Sequence, residues 1–385
     1  MKQHKVLHVI TGLTTGGAEM MLKKLLQHEP HFEHVVIALN GSGDTLISKQ
    51  LDELGIQVHH LNMKASRYKW RALAHFVKLV RVEKPSLVQG WMYHANVFAL
   101  LSKCSSPRVP IFWNIRHSVH DLSHEPKSIR MILKLAAMFM PFVSKVIYNS
   151  QTSQKQHEAL GFSVSKSVML PNGFELERFS PSRALREQWR ERLNVGDKDT
   201  LIGVVARYHA MKGHKFFLES LQKSLQTQSS IRAVLIGPGV DEGNCELMSV
   251  VRKLGLESSV QLLGERDDVA QVINACDIFV SPSLWGEGFS NVVGEAMALE
   301  VPCIVTDVGD SALIVDRFGY VVPPSNKGVM SKAILNLAEK SRFQRIEMGQ
   351  DARKRIEEHF SIASISAQYS QLYAQQLGCE GALEN

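Results

Sequence analysis

The sequence predicts an α/β protein of two Rossmann-like domains with parallel sheets facing each other across a cleft. Three observations carry this. Short apolar, β-branched runs alternate with longer amphipathic stretches along the whole chain, as βαβ units require. Runs such as Val234-Leu235-Ile236 are continuously apolar, as strands buried on both faces are. The alternation breaks once, at the turn signal Pro171-Asn172-Gly173, and a chain of 385 residues suits two domains of about 150–200 residues.

Taken in order, the first-half strands are expected at Lys5–Ile10, His34–Leu39, Gln57–Leu61, Leu87–Met92, Ile111–Ile115, Lys145–Asn149 and Ser167–Leu170. A polar stretch then runs to Ser180-Pro181. A charged helical segment (Arg183–Leu193) and a turn-rich piece (Asn194–Asp199) follow. The second-half strands are expected at Leu201–Ala206, Ala233–Gly237, Val260–Leu263, Ile278–Ser281, Cys303–Thr306 and Tyr320–Val322. From about Arg342 the pattern is helical and charged, and it continues to about Gln376. The expected domains are 1–175, binding the acceptor, and 176–360, binding a nucleotide-sugar. Residues 361–385 form a helix and tail that pack back on the first domain.

Composition narrows the function class. Hydrophobic residues make up 44% and charged residues 21%, which excludes disorder as the main state. Lys and Arg (44) exceed Asp and Glu (38) by 6, and the excess is spread out. It suits anionic ligands or an anionic membrane surface rather than nucleic acid. The five cysteines are scattered, form no C-x-x-C pair and read as buried thiols in a reducing compartment. The charge-free stretch Pro85–Ser102 contains Gln89, His94 and Asn96 and makes a poor membrane span. The expected location is cytoplasmic, with peripheral attachment to the inner face of the cell membrane left open.

Three constellations carry chemistry. Gly12-Leu13-Thr14-Thr15-Gly16-Gly17-Ala18-Glu19 follows a strand and opens a helix. Its glycines admit a ligand's close approach, and the helix start offers free N–H groups to a phosphate. A tight turn without a ligand is the other reading. Arg207-Tyr208-His209-Ala210-Met211-Lys212-Gly213 follows the first strand of the second domain, where open α/β sheets bind ligands. Arg207 and Lys212 together suit a diphosphate, against the alternative of two solvated charges. Ser283-Leu284-Trp285-Gly286-Glu287-Gly288-Phe289-Ser290 again joins a strand to a helix, with Ser290 as its cap and Glu295 a turn inside. Glu287 and Glu295 are eight residues apart and can accept hydroxyls from different parts of one elongated ligand; solvated surface carboxylates are the alternative. Gly294 inside that helix costs about 1 kcal/mol against Ala and so needs a contact to justify it.

In this order, the strand–GGAE–helix start, the R-x4-K pair and the E-x7-E segment resemble the GT-B-fold retaining glycosyltransferases of family 4. Gly264-Glu265-Arg266-Asp267-Asp268 and Thr306-Asp307-Val308-Gly309 match by place and type. The resemblance implies that Arg207 and Lys212 bind the donor diphosphate and Glu295 the ribose. It places Glu287 on the donor sugar, with the N–H groups of Gly288, Phe289 and Ser290 nearby. It also implies that Gly16 and Gly17 close over the diphosphate and that the loop Gly264–Arg266 holds the base. His117, where a strand runs into a loop, falls near the reaction centre. The chain departs from the family pattern at Ser290, where Pro is frequent, and at Glu300, where Gly is frequent. The implied partners are a nucleoside-diphosphate sugar and a saccharide or lipid-linked saccharide, with no cofactor. A nucleotide-sugar epimerase and a non-catalytic nucleotide-sugar sensor are the rival readings.

Other signals weigh less. Asp197-Lys198-Asp199 has the form of a metal motif but stands in a turn before a strand, and Asp267-Asp268 lacks further ligands. No residues are expected to hold a metal. His120 and His124 are read as structural or acceptor-side. Arg67-Tyr68-Lys69-Trp70-Arg71 and the basic amphipathic stretch Lys127–Val143 suit an acceptor or an anionic bilayer; an ordinary core-facing helix is the other reading of the latter.

Overall fold

The computed structural model describes residues 4–14, 16–41, 43–63, 69–120 and 122–380, with the backbone alone at Lys69 and His124. Arg67 and Tyr68 lie outside these residues. The chain forms two compact units. One takes the described residues up to Gly173 and those from Ile362 onward; the other is Phe174–Ser361.

The first unit holds strands β1 (Lys5–Ile10), β2 (Glu33–Ala38), β3 (Gln57–His60), β4 (Leu87–Trp91), β5 (Ile111–Ile115), β6 (Lys145–Tyr148) and β7 (Ser167–Met169). They form one sheet in the order β3-β2-β1-β4-β5-β6-β7, every pair parallel. The order reverses between β1 and β4. Helices such as Lys69–Glu83 and Lys127–Met138 cover one face around Phe76, Trp113 and Leu133. The helices Gly17–His28 and Leu46–Glu53 cover the other face, together with Ile362–Leu377 from the end of the chain. That last helix sinks Tyr369 and Tyr373 beside Phe112.

The second unit holds β8 (Thr200–Val205), β9 (Ile231–Ile236), β10 (Val260–Leu262), β11 (Ile278–Ser281), β12 (Cys303–Thr306) and β13 (Tyr320–Val322). The sheet runs β10-β9-β8-β11-β12-β13, also all parallel, and reverses between β8 and β11. Every expected strand is present. The central strands are largely apolar and buried, as parallel strands covered on both faces are, whereas the edge strand β3 reads Gln-Val-His-His and is only half-buried.

Local chemistry explains the finer features. The helical end of the chain is two helices, Arg342–Phe360 and Ile362–Leu377. Ser361 separates them in extended conformation and pairs with Phe174, whose N–H donates to the Phe360 carbonyl at 2.8 Å. Gly294 has the contact its place in a helix demands: a Cβ there would lie 2.0 Å from the Phe174 ring. The expectation of buried thiols holds for Cys276 and Cys303 only. Cys104 and Cys245 are exposed, because their neighbours lie in turns and helix ends rather than strands.

Candidate functional site

Four strands of the second sheet deliver their carboxyl ends to one cavity of about 470 Å³. Arg207 follows β8, Gly237 and Pro238 follow β9, Glu265 and Arg266 follow β10, and Glu287 to Val292 follow β11. The cavity thus sits at the reversal of strand order, where doubly wound sheets leave a crevice.

Two loops are stitched together to build it. Gly213 (φ 68°) passes so near β11 that a Cβ would lie 2.0 Å from the Pro282 carbonyl oxygen, so only glycine fits. The Leu284 N–H donates to the Met211 carbonyl at 2.7 Å. From behind, the Asp310 N–H donates to the Gly288 carbonyl at 2.8 Å, and Thr306 Oγ1 donates to the Ser283 carbonyl at 2.5 Å. The segment after β12 therefore braces the Glu287 loop.

Within the cavity, Lys212 is ion-paired with the Glu287 carboxylate, which also accepts from Ser283 Oγ at 2.7 Å. Arg266 forks onto Asp268 at 2.7 and 2.8 Å and lies 5.0 Å from the Trp189 ring centroid. This hydrogen-bonded fork holds the Asp268 carboxyl below the usual carboxylate range and spends it, so Asp268 is no waiting cation ligand. Arg207 is exposed and has no ion-pair partner among the described residues. Phe289 and Ser290 line the wall and lead into the helix Asn291–Ala298, whose first-turn N–H groups lack partners within that helix.

Arg207, Lys212, Arg266, Glu287, Phe289 and Ser290 are thus brought together. Glu295, Gly264 and Gly288 do not line the cavity. Glu295 follows Asn291 and Val292 by four and three residues, so it lies on the same helix face a turn further on. Gly264 makes the left-handed turn (φ 68°) that presents Glu265 and Arg266. Ser290 occupies the cap position, but its side chain makes no capping bond, a correction to the expected cap. Its peptide, not its hydroxyl, is what the position supplies. Among the described residues no cluster has the makings of a metal site, and Asp199 instead closes its own turn on the Gly196 N–H at 2.9 Å.

Gly16, Gly17 and His117 belong to the first unit. Gly17 is already helical, after Gly16 in extended conformation. A Cβ on Gly16 would fall 2.4 Å from a Glu19 carboxylate oxygen, whereas one on Gly17 would meet nothing within 4 Å. His117, two residues past β5, places Nε2 2.9 Å from Glu125. Its ring stands edge-on to Tyr93, with centroids 6.2 Å apart, and its carbonyl accepts from Ser153 Oγ at 2.6 Å. Beneath, the Tyr93 hydroxyl donates to His157 Nε2 at 2.9 Å and His157 Nδ1 donates to the Ser153 carbonyl at 2.7 Å. Burial drives the His157 pKa down to about 4, so the ring is neutral. Glu125, Tyr93, Ser153, His157 and Trp189 were not foreseen. Only Glu125, eight residues after His117 at a helix start, left a local signal; the rest are long-range neighbours. Met92, the residue after β4, holds a left-handed φ of 68°, a strained position at the sheet's reversal point.

A family model described as "Glycosyltransferase Family 4" matches residues 15–178, and one described as "Glycosyl transferases group 1" matches residues 199–340. The chain belongs to the family 4 glycosyltransferases. This glycosyltransferase is 23% identical over 315 residues to an Escherichia coli UDP-Gal:alpha-D-GlcNAc-diphosphoundecaprenol alpha-1,3-galactosyltransferase, 79% of each chain. It is 23% identical to the Staphylococcus aureus capsular polysaccharide biosynthesis glycosyltransferase CapM, over 97% of each. Other relatives are matched over only 54% or 58% of their own length. Anabaena HepE, crystallised with UDP, superposes with a TM-score of 0.82 at 22% identity, covering 96% of this chain and 100% of HepE. The glycosyltransferase has the GT-B fold.

Proposed function

We propose that this glycosyltransferase moves a sugar from a nucleoside-diphosphate sugar to a hydroxyl of a saccharide or lipid-linked saccharide, with retention at the anomeric carbon and without a metal. The observation that carries this is the cavity at the β8/β11 reversal, where Arg207, Lys212, Arg266 and a helix start converge beside Glu287. Three cations and a helix N-terminus suit a diphosphate, whose negative charge grows as it leaves. HepE's complex with UDP and the UDP-Gal donor named for the E. coli relative support the donor class. The names of the two relatives support a place in cell-surface polysaccharide or glycolipid synthesis, and a lipid-linked acceptor would be met at a membrane surface. No helix of the described residues is long and apolar enough to cross a membrane.

In this reading the second unit binds the donor and the first the acceptor. Arg207 has no carboxylate to give up and engages the diphosphate first. Lys212 then exchanges Glu287 for a phosphate oxygen, which frees Glu287 to hold hydroxyls of the transferred sugar. Glu295 meets the ribose, the Gly264–Arg266 loop the base, and the peptides of Gly288 to Ser290 the diphosphate or sugar. Gly16 and Gly17 let the first unit's loop approach the diphosphate, and His117 stands at the acceptor. The anomeric C–O bond breaks with its electron pair leaving on the diphosphate, a C–O bond to the acceptor forms, and the acceptor hydroxyl's proton passes to an oxygen of the departing diphosphate.

The test is transfer from a panel of labelled nucleoside-diphosphate sugars to lipid-linked saccharides, with and without EDTA. One donor should be consumed, with hydrolysis much slower when acceptor is omitted and no loss to chelation. Diphosphate binding without transfer to any acceptor would favour the sensor. Activity lost to EDTA and restored by Mn²⁺ would overturn the metal-free reading.

A further inference from the structure

The helix Lys127–Met138 and the turn Met140–Phe142 carry two apolar faces, of which the core uses one. Leu133, Ala136 and Met140 are buried against the first sheet. Met131, Leu135, Met138 and Phe142 are not: Met131 is 70% exposed, Met138 74% and Phe142 55%. Their spacings of four, three and four residues line them up on one side of the helix. Lys127, Arg130 and Lys134 follow the same periodicity along the edge of this stripe and have no carboxylate partner among the described residues. From residue 126 to 157 the chain has no Asp or Glu.

We propose that this face docks on an anionic lipid bilayer, with Met131, Leu135, Met138 and Phe142 below the headgroups and Lys127, Arg130 and Lys134 against lipid phosphates. An unbroken apolar stripe bordered by cations and free of carboxylates is what an interfacial helix needs. A protein partner of matching charge would need an acidic rim, whereas a bilayer supplies both the apolar layer and the anionic border in one surface. The inference deepens the acceptor assignment above and rests on it for its purpose. The helix begins two residues after Glu125, the partner of His117, so docking holds the end of β5 at the surface where a lipid-linked acceptor resides.

The experiment is co-sedimentation of the full chain with phosphatidylcholine vesicles, with and without phosphatidylglycerol. The wild type should pellet with the anionic vesicles, at least about tenfold more strongly than with the zwitterionic ones, and salt should weaken this. M131S/M138S/F142S should lose binding to both. K127Q/R130Q/K134Q should lose only the preference for anionic lipid. Nucleoside diphosphate binding and the unfolding midpoint should be unchanged in both variants, because every altered side chain is on the surface of the first unit. Wild type remaining in the supernatant overturns the proposal, as does a serine variant that pellets equally well. A concentration-dependent dimer lost in the serine variant, without vesicle binding, assigns the face to a second copy instead. Vesicle binding requires no sugar transfer, so its failure and failure of the transferase reading are separately visible.

Discussion

Lys212 and Glu287 hold each other in the cavity, which sharpens what their substitutions should do. Glu287→Gln removes the charge that competes with phosphate for Lys212. Free nucleoside diphosphate should bind unchanged or tighter, while turnover falls about 100-fold as the sugar loses its positioning contact. Glu295→Gln should weaken diphosphate and intact donor alike, by about tenfold for one charged hydrogen bond. Calorimetry and single-turnover transfer on the two variants decide it; diphosphate affinity lost in the first with normal turnover in the second places the donor the other way round. Gly17 offers a second residue-level test. A Cβ there meets no protein atom, so Gly17→Ala should leave the unfolding midpoint the same or slightly higher. It should nonetheless raise KM for the donor if a diphosphate approaches that backbone. An unaltered KM would leave Gly17 as helix start alone.

At the level of elements, the helix Asn291–Ala298 shows how packing sets residue choice within it and chain reversal sets it just past its end. Near its middle Gly294 lies under the Phe174 ring. Gly294→Ala gains helix propensity but overfills the contact, and should destabilise by about 1–3 kcal/mol in urea titration. A neutral result would show that Phe174 moves aside freely. Just past its end Glu300 holds a φ of 60°, in the left-handed region that favours glycine, the residue the family resemblance expects there. The departure from family pattern at this position is therefore a strained helix terminus. Glu300→Gly should stabilise by about 0.5–1 kcal/mol, read as a higher urea midpoint, and a lower midpoint would remove that account. Replacing Gly309 would act at a distance, since a Cβ there would press within 2.5 Å of the Glu287 carbonyl oxygen.

Across the whole molecule, each unit buries a neutral histidine. Burial lowers the pKa of His157 in the first unit and His214 in the second from 6.5 to about 4. Above about pH 6.5 both rings are neutral, folded or unfolded, and their titration leaves stability alone. Below it the unfolded chain takes up protons that the folded chain refuses until about pH 4, so stability is lost progressively across that window. Each ring accounts for about 3 kcal/mol over the full interval. His157→Gln should flatten the pH dependence of the first unit's unfolding, and an unchanged slope would mean the ring titrates normally. A further buried chain in the first unit runs from Trp91 Nε1 to His8 (3.1 Å), on to His34 (3.1 Å) and to Glu29 (2.8 Å). Glu29 also accepts from Ser370 Oγ at 2.5 Å, tying the returning helix Ile362–Leu377 to the start of the chain.

Strand positions, sheet class and the motif-bearing loops were legible in the residues because each rests on local pattern. A buried parallel strand is an apolar run, a loop at its carboxyl end is rich in glycine and polar residues, and both are short-range features. So Arg207, Lys212 and Glu287 could be picked out before any fold was drawn, while the Gly264–Arg266 loop came only from the family resemblance. Local pattern could not show that Lys212 and Glu287, 75 residues apart, would neutralise each other, because that depends on β8 and β11 lying side by side. Nor could it show that Tyr93, Ser153 and His157 would stack beneath His117, or that Arg266 would be spent on Asp268 over Trp189. The basic amphipathic stretch Lys127–Val143 stayed open between a core helix and a surface one, since periodicity reports an apolar face without saying what covers it. Packing answered by burying Leu133 and Ala136 and leaving Met131 and Met138 outside. Order along the chain is enough to specify elements; which charges meet, and which apolar faces stay uncovered, is decided only when distant elements close-pack.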